Sequence, residues 1–383
     1  MLLTLTFLCA VNVASPAVAL AADDRGVAGA WVDHGRIYAT RVDARGNVSG
    51  SVREIPFSTA KRPLEASCPS MAKSPSGSGF TLAWLEESQD DVRAIYTRLD
   101  ADLIPEPPKV LTSMSPTTVQ SPVIVRSGAS TWITANNLVW QLRGDGSLDL
   151  PLQSALPASD MVANAPYPRL VGATKGVSTY KCSSNPSCRA AGGPFKGYCY
   201  TNPGCRIDVS SGYALQFMAI YTTYQSVPFT FESEAQPAIA SDGRDVVIAW
   251  FRGTQVTGGE VVVDRFSDLV NFDVVTLTPQ VIGSFGPENT PVRPDVATDG
   301  ERYVVVWQTR TPAYDHDIAG AVLDRQGHVT KFTVASSSDD ERNPSVIATR
   351  DGAFFIAYEK ISGADRQIAR QFIAFDGRSR PVR

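Results

Sequence analysis

The chain has 383 residues, of which 43% are hydrophobic and 19% charged, and its formal net charge is −4. Its 29 glycines and 26 prolines make up about 14% of the chain, close to the usual ~12%, which excludes a disordered or collagen-like protein. The negative net charge argues against nucleic acid as a partner. After residue 22 no apolar run reaches the ~18 residues that a spanning helix needs, so we predict no membrane span.

In chain order, one unit recurs: a proline, a short apolar stretch, a turn containing glycine, and an apolar run that ends in an aromatic residue. Clear copies are residues 236–253, 293–310 and 343–360, and weaker copies are residues 68–87 and 121–135. The aromatic positions are Trp31, Trp84, Trp132, Tyr180, Trp250, Trp307 and Tyr358. They are spaced by 53, 48, 48, 70, 57 and 51 residues. A period near ~50 residues with strand-forming sequence is typical of propeller blades.

Each unit continues with a loop, a strand, a tight turn and another strand. Residues 37–48 align without a gap with residues 318–329, and four-residue turns end in Gly46 and Gly327. Glycine suits such turns because it adopts positive φ without a steric cost. We therefore predict an all-β fold, a seven-bladed β-propeller of four-stranded antiparallel blades, with residues 23–383 as one domain. The repeated aromatics are interpreted as packing residues between blades.

This pattern resembles the repeats of WD-repeat, kelch and other secreted bacterial propellers in spacing and pattern. The Gly-His and Trp-Asp signatures of WD repeats and the Ser-x-Asp-x-Gly-x-Thr-Trp box of sialidases are absent from the sequence. The resemblance therefore implies a fold and no activity.

Residues 1–22 allow two interpretations. They have the apolar core of an export signal, with small-residue cleavage sites that end at Ala19 and Ala21. However, no lysine or arginine precedes Arg25, and Pro16 lies 15 residues before Trp31, the spacing of the repeat. In the second interpretation these residues supply the first strand of blade one, which cleavage at either site would remove.

The segment LLTLTFL, residues 2–8, extends the second interpretation. It lies 14 to 8 residues before Pro16, much as VTKFTVA, residues 329–335, lies 15 to 9 residues before Pro344. It could therefore close the ring as the fourth strand of blade seven, which would remove exposed sheet edges. A signal would then lie upstream of Met1 or be absent.

A cysteine-rich insert at residues 175–207 accounts for the longest gap in the repeat. It holds two copies of one motif, CSSNPSC and CYTNPGC, with Cys182, Cys188, Cys199 and Cys205. Asn-Pro favours a turn within each pair, so the insert predicts two disulfides and a secreted or periplasmic protein. Three pairings are possible, and we favour the two local ones. A four-thiolate zinc site is the alternative, although five residues separate each pair where zinc ribbons use two to four.

The insert is also basic. Lys175, Lys181, Arg189, Lys196 and Arg206 give it a charge of +5, which leaves −9 for the rest of the chain. A loop preorganised by disulfides loses less entropy on binding, and long loops are usually functional. The propeller resemblance implies that ligands bind on the face where this loop emerges. The predicted binding residues are Lys181, Arg189, Phe195, Lys196, Tyr198, Tyr200 and Arg206. The alternative is a loop whose cysteines only replace a missing core.

Equivalent loops of other blades are acidic. The blade-six loop holds Asp315, His316 and Asp317, and the blade-two loop holds Asp90 and Asp91. If these side chains converged at one mouth of the ring, paired carboxylates would suit a glycosidase or a Ca²⁺ site. The alternative is that the acidic loops are simply solvated.

The leading prediction is a monomeric secreted or periplasmic binding propeller without a cofactor, whose partner is an extracellular protein or an anionic glycan. The first alternative is a carbohydrate-active enzyme, a glycosidase or lyase, that uses Asp315, His316, Asp317, Asp90 and Asp91. The second alternative is a structural envelope protein.

Overall fold

The computed structural model describes residues 18–43, 47–59, 65–74, 79–87, 91–114, 121–127, 130–136, 138–149, 151–153, 158–162, 169–182, 207–219, 237–254, 257–267, 279–287, 293–310, 315–363, 365–375 and 381–382. These residues form β-strands, turns and irregular segments, and none of them is helical. Accordingly, this part of the chain offers no helix that could cross a membrane.

The strands of the described residues form seven antiparallel sheets. Sheet 1 contains β1 (Val18–Asp23), β2 (Gly26–Asp33), β3 (Arg36–Val42) and β4 (Arg53–Ile55). Sheet 2 contains β5 (Glu65–Lys73), β6 (Phe80–Glu87), β7 (Val92–Leu99) and β8 (Lys109–Met114). Sheet 3 contains β9 (Val123–Ser127), β10 (Ser130–Ala135), β11 (Leu138–Leu142) and β12 (Leu152–Gln153). Sheet 4 contains β13 (Ala158–Val162), β14 (Arg169–Cys182) and β15 (Ile207–Ala219).

The remaining sheets repeat the four-stranded plan. Sheet 5 contains β16 (Ala238–Ser241), β17 (Asp245–Thr254), β18 (Gly258–Ser267) and β19 (Gln280–Phe285). Sheet 6 contains β20 (Asp295–Thr298), β21 (Tyr303–Arg310), β22 (His316–Leu323) and β23 (Val329–Ala335). Sheet 7 contains β24 (Asp340–Ala348), β25 (Phe354–Ser362), β26 (Asp365–Phe375) and β27 (Pro381–Val382).

The sheets follow one another through their first strands. Within each sheet the strands lie in sequence order, and the first strand of each sheet contacts the first strand of the next. The succession returns to its start, because β24 of sheet 7 contacts β1 of sheet 1. Residues 18–23 form the first strand of sheet 1, whereas residues 1–17 lie outside the described residues.

The core lies between neighbouring sheets because alternate side chains of each strand point to opposite faces. Tyr303, Val305 and Trp307 pack against sheet 5, whereas Val304 and Val306 pack against sheet 7. The repeated aromatics Trp31, Trp84, Trp307 and Tyr358 pack toward the preceding sheet. Trp250 lies on the same face of its strand, because its neighbours Ala249 and Phe251 pack toward sheet 6. The packing role predicted for these positions is therefore confirmed at them.

Trp132 departs from that pattern. It is buried, with 2% of its surface exposed. However, it is Ile133 that packs with Ala83 of the preceding sheet, which puts Trp132 on the opposite face of β10. The alignment of Trp132 with the other aromatics was therefore wrong by one residue, and such a shift reverses the face of every side chain in a strand.

Polar residues that directly follow a proline join the first strands. Ile124 donates its backbone N–H to Ser70 Oγ at 3.1 Å, and Val346 donates to Asp295 Oδ2 at 2.8 Å. At the junction of sheets 7 and 1, Ser345 Oγ donates to the backbone oxygen of Val18 at 2.7 Å. The Pro-Ser and Pro-Asp pairs of the repeat thus satisfy backbone groups of the next sheet.

Sheet 4 differs from the predicted plan. The sequence predicts a glycine-containing turn between residues 169 and 180, but β14 runs continuously from Arg169 to Cys182 with a bulge between Lys175 and Val177. Gly176 lies in this bulge rather than in a turn. Bulges favour glycine just as turns do. Three strands of this sheet fall within the described residues, not the four predicted.

Candidate functional site

One end of the sheets holds the described residues of the predicted acidic loops. In an antiparallel meander, the first strand begins, the second ends and the third begins at the same end of the sheet. We call this end the upper face. Asp91 precedes β7, Asp315 precedes β22, and His316 and Asp317 begin β22, so all four lie on the upper face. Asp90 lies outside the described residues.

A buried histidine joins sheets 6 and 7 on this face. His316 is 4% exposed, and its Nδ1 lies 2.6 Å from Asp340 Oδ1. The other carboxylate oxygen of Asp340 lies 2.7 Å from a guanidinium nitrogen of Arg342. Burial raises the pKa of Asp340, but hydrogen bonds from Arg342 and His316 outweigh it and lower that pKa. Asp340 is therefore a carboxylate that fixes the orientation of the imidazole ring.

Asp317 is a half-buried carboxyl group beside the histidine. Its Oδ2 accepts a hydrogen bond of 3.1 Å from Ser336 Oγ. Burial is the largest cause that raises its pKa, and the nearby charge of Asp315 raises it further. The hydrogen bond from Ser336 and the charge of His316 oppose the shift without cancelling it. Asp317 thus keeps its proton to a higher pH than an ordinary aspartate, as a general acid must.

The acidic residues of sheet 2 are engaged in local contacts. Glu86 is 0% exposed and accepts hydrogen bonds from the backbone N–H and the hydroxyl of Ser58 at 2.7 and 2.6 Å. Arg93 lies 3.5 Å from Glu86 and 3.4 Å from Asp91. Glu87 accepts a hydrogen bond from Ser67. These carboxylates therefore hold the segment after β4 and the start of β7.

Sheet 7 carries a further polar cluster that the sequence did not single out as a whole. Glu359 pairs with Arg366 and accepts a hydrogen bond of 3.2 Å from Asn343 Nδ2. Asn343 has a φ of 50°, and its backbone N–H donates to Gln308 Oε1 at 3.1 Å. Glu341 is 1% exposed. This cluster pins the first strand of sheet 7 to its neighbours in sheets 6 and 7.

The convergence of the acidic loops of different sheets at one mouth stays a prediction. The structure brings Asp315 and Asp317 together, and it brings His316 together with Asp340. Asp91 lies in sheet 2 with its own arginine partner. Across the described part of the chain, no group of three or more His, Cys, Asp or Glu residues is placed to hold a metal ion.

The cysteine-rich insert emerges from a long two-stranded ribbon. β13 pairs with β14 only from Arg169 to Gly172, but β14 and β15 pair on to Lys181–Asp208 and Cys182–Ile207. Residues 173–182 therefore continue, paired with β15, for about 30 Å past the last residue that pairs with β13, at ~3.3 Å per residue. The connection joins the second and third strands, so it leaves from the upper face as predicted. The other binding and disulfide positions lie outside the described residues: Cys188, Arg189, Phe195, Lys196, Tyr198, Cys199, Tyr200, Cys205 and Arg206.

Comparison with known proteins gives structural likeness only. No family model matches the chain, and no curated protein matches it by sequence. A protein of unknown function from Dyadobacter fermentans is 10% identical with a TM-score of 0.47, covering 94% of each chain. The Pan2 WD40 domain of Neurospora crassa is 10% identical with a TM-score of 0.48, covering 93% of this chain and 89% of that one. A subtype N10 neuraminidase-like protein of A/little yellow-shouldered bat/Guatemala is 7% identical with a TM-score of 0.41, covering 94% and 95%. Such scores assign neither activity nor ligand.

Proposed function

We propose that the chain is a seven-bladed β-propeller that acts outside the cytoplasm and binds an anionic partner through the β14–β15 ribbon and its cysteine-rich tip. The observation that carries the proposal is the ribbon, in which β14 and β15 stay paired for about 30 Å past the end of the pairing with β13. The partner is an extracellular protein or glycan with an acidic surface.

The propeller assignment rests on the contacts of the first strands. The described residues form seven sheets with strands in sequence order, each contacting the next and the last contacting the first, which makes a closed arrangement. Closure of this kind shields the sheet faces and leaves only short edges. The hydrogen bond from Ser345 to Val18 supports the last junction.

The binding assignment rests on charge and preorganisation. The insert carries five cations on a chain of net charge −4, so it is the basic feature of an otherwise acidic protein. Two local disulfides at its tip would restrict the loop before it meets a partner and reduce the entropy lost on binding. Disulfides also require the oxidising compartment that the proposal assigns.

Substitution of the cations tests this function. Alanine at Lys181, Arg189, Lys196 and Arg206 removes four charges. At about 0.5 kcal/mol for each exposed contact, affinity for heparin or for a captured acidic partner should fall about 30-fold. The matched control replaces four exposed cations from other sheets, at Arg53, Lys109, Arg244 and Lys331. Equal affinities of the two variants and the unchanged protein would contradict the proposal.

Asp317 supports a second candidate function, a carbohydrate-active enzyme. Burial and the neighbouring charge of Asp315 raise the pKa of Asp317, which is the direction that glycosidase chemistry requires of the acid residue. Asp317→Asn should abolish turnover of an accepted glycoside, while Asp324→Asn, at a turn on the opposite end of the sheets, should leave it unchanged. The unchanged protein should be assayed against a panel of chromogenic glycosides and polysaccharides. If it turns over none of them, this candidate function is wrong.

A further inference from the structure

The turn after the third strand of sheet 3 has the same backbone hydrogen bonds as its equivalents in sheets 2 and 6. The backbone N–H of Arg143 donates to the oxygen of Ser147 at 2.9 Å, and that of Gly146 donates to the oxygen of Arg143 at 3.0 Å. The turns that begin at Asp100 in sheet 2 and at Asp324 in sheet 6 close through the same two bonds, at 3.0 to 3.1 Å. All three turns lie at the end of the sheets opposite the upper face, because the third strand ends there.

The first side chain of this turn differs in sheet 3. In sheets 2 and 6 it is an aspartate, whose carboxylate accepts hydrogen bonds from two backbone N–H groups of the turn at 2.8 to 2.9 Å. In sheet 3 it is Arg143, which has no acceptor. Asp145 restores part of the lost capping, since its Oδ1 accepts bonds from the backbone N–H and the hydroxyl of Ser147 at 2.9 and 2.7 Å. An exchange that gives up a turn-stabilising aspartate points to a role outside the turn.

The second residue, Gly144, is not required by the fold either. Its φ is not positive, and apart from its chain neighbours nothing lies within 4 Å of the place where a Cβ would be. Sheets 2 and 6 have Ala101 and Arg325 at this position. A glycine that neither the backbone nor the packing requires suits a place where another molecule approaches the backbone closely.

The side chains on either side of Gly144 are exposed and oppositely charged. The side chain of Arg143 is 59% exposed and pairs with Asp149 at 3.0 Å, and an exposed pair of this kind stabilises little. Asp145 is exposed. Hydrogen bonds from Ser147 lower the pKa of Asp145, and the charge of Arg143 lowers it further. The turn therefore presents a guanidinium and a carboxylate two residues apart, with open space over the backbone between them.

We propose that the turn of Arg143, Gly144 and Asp145 docks on a receptor outside the cytoplasm that holds a divalent cation beside an acidic pocket. An oxygen of Asp145 completes the coordination of the cation, since Mg²⁺ and Mn²⁺ take oxygen ligands and bind through one or two carboxylates. The guanidinium of Arg143 exchanges Asp149 for a carboxylate of the receptor, and such a pair fixes orientation because it is bidentate. Gly144 lets the receptor lie against the turn.

This surface is separate from the ribbon. The ribbon leaves from the upper face, whereas the turn lies at the opposite end of the sheets. The inference therefore shares with the proposed function only the location outside the cytoplasm, and the two can be tested apart.

Surface plasmon resonance with the full chain immobilised tests the docking. The probe is an integrin ectodomain that binds Arg-Gly-Asp turns, because its ligand site has the required cation and acidic pocket. It should bind in Mn²⁺ and dissociate in EDTA. Asp145→Glu keeps the charge but moves the carboxylate by one methylene, and it should weaken binding at least ~100-fold. The matched control, Asp102→Glu, changes the same position of the turn in sheet 2 and should alter affinity less than ~2-fold. No binding in Mn²⁺, binding that survives EDTA, or equal losses in the two variants would overturn the proposal.

Gly144→Ala separates docking from folding. The added methyl group meets open space at an ordinary φ, so the midpoint of guanidinium chloride unfolding should not fall. Binding of the probe should nevertheless weaken at least ~10-fold, because the methyl group stands where the receptor approaches. Unchanged probe affinity in Gly144→Ala would contradict the close approach. Heparin affinity, measured on the same surfaces, reports the proposed function of the ribbon separately.

Discussion

Replacement of Arg41 should be among the most destabilising single changes in the described residues. Its guanidinium donates to both carboxylate oxygens of Asp23 at 3.0 and 2.7 Å, and its Nε donates to the backbone oxygen of Ala101 in sheet 2 at 2.8 Å. The same group lies 5.0 Å from the ring centroid of Phe80. One side chain thus links β1, β3 and the turn of the neighbouring sheet.

The magnitude follows from burial of the ion pair. The side chains of Arg41 and Asp23 are 7% and 6% exposed, and breaking one partner of a buried pair costs about 3–5 kcal/mol because the other charge stays buried. Arg41→Met keeps the apolar stem and should lower the free energy of unfolding by about 4 kcal/mol. Arg36→Met is the matched control. Its pair with Glu54 is 52% and 48% exposed and should be worth at most about 1 kcal/mol.

Guanidinium chloride unfolding followed by tryptophan fluorescence measures both variants. A double variant with Asp23→Ala should cost less than the sum of the single changes, since it removes both buried charges together. If Arg41→Met cost no more than Arg36→Met, Arg41 would not link β1, β3 and sheet 2 as described.

Three further outcomes are expected. Ser345→Ala removes the hydrogen bond to Val18 and should lower the free energy of unfolding by about 1 kcal/mol, which the same denaturation assay measures. Burial raises the pKa of Asp23, but its bonds to the neighbouring guanidinium and backbone lower it below 3.8 overall. The contribution of the Asp23 carboxylate to the free energy of unfolding should therefore be complete above about pH 5 and fall as the pH drops below about 4. The difference in free energy of unfolding between the unchanged protein and Asp23→Asn should narrow only below about pH 4. Gly79 has a φ of +91°, and backbone atoms occupy the place where an added methyl group would lie. Gly79→Ala should therefore lower the free energy of unfolding by more than about 2 kcal/mol. Gly243→Ala, at φ +85° with open space, should cost only about 1 kcal/mol.

Local and periodic features of the fold could be predicted from the sequence. The turn at Asp324 illustrates why, since its carboxylate accepts bonds from the backbone N–H groups of residues 326 and 328, and Gly327 has a φ of 84°. Asp and Gly at these positions determine such a turn within five residues. The period of the aromatics likewise reflects one packing position repeated in successive sheets, as at Trp84 and Trp307.

The rest depends on contacts between distant residues. Nothing near His316 in the sequence marks Asp340, 24 residues away in the next sheet, as its partner. Arg41 and Ala101 are 60 residues apart. The register of β10 could not be read from Trp132, because both faces of a buried strand are apolar and alternation then gives no signal.

The distance between the turns of sheets 1 and 7 tests the closed arrangement most directly. Asp24 and Arg350 lie in these turns, and their side chains approach to 3.5 Å. Genetically encoded spin labels at Asp24 and Asp351 avoid the native cysteines, and double electron–electron resonance measures the separation. The closed arrangement predicts less than about 20 Å between the labels, within one sheet-packing distance plus linkers. An open row of seven sheets at ~10 Å spacing would give about 60 Å, and that result would contradict the ring.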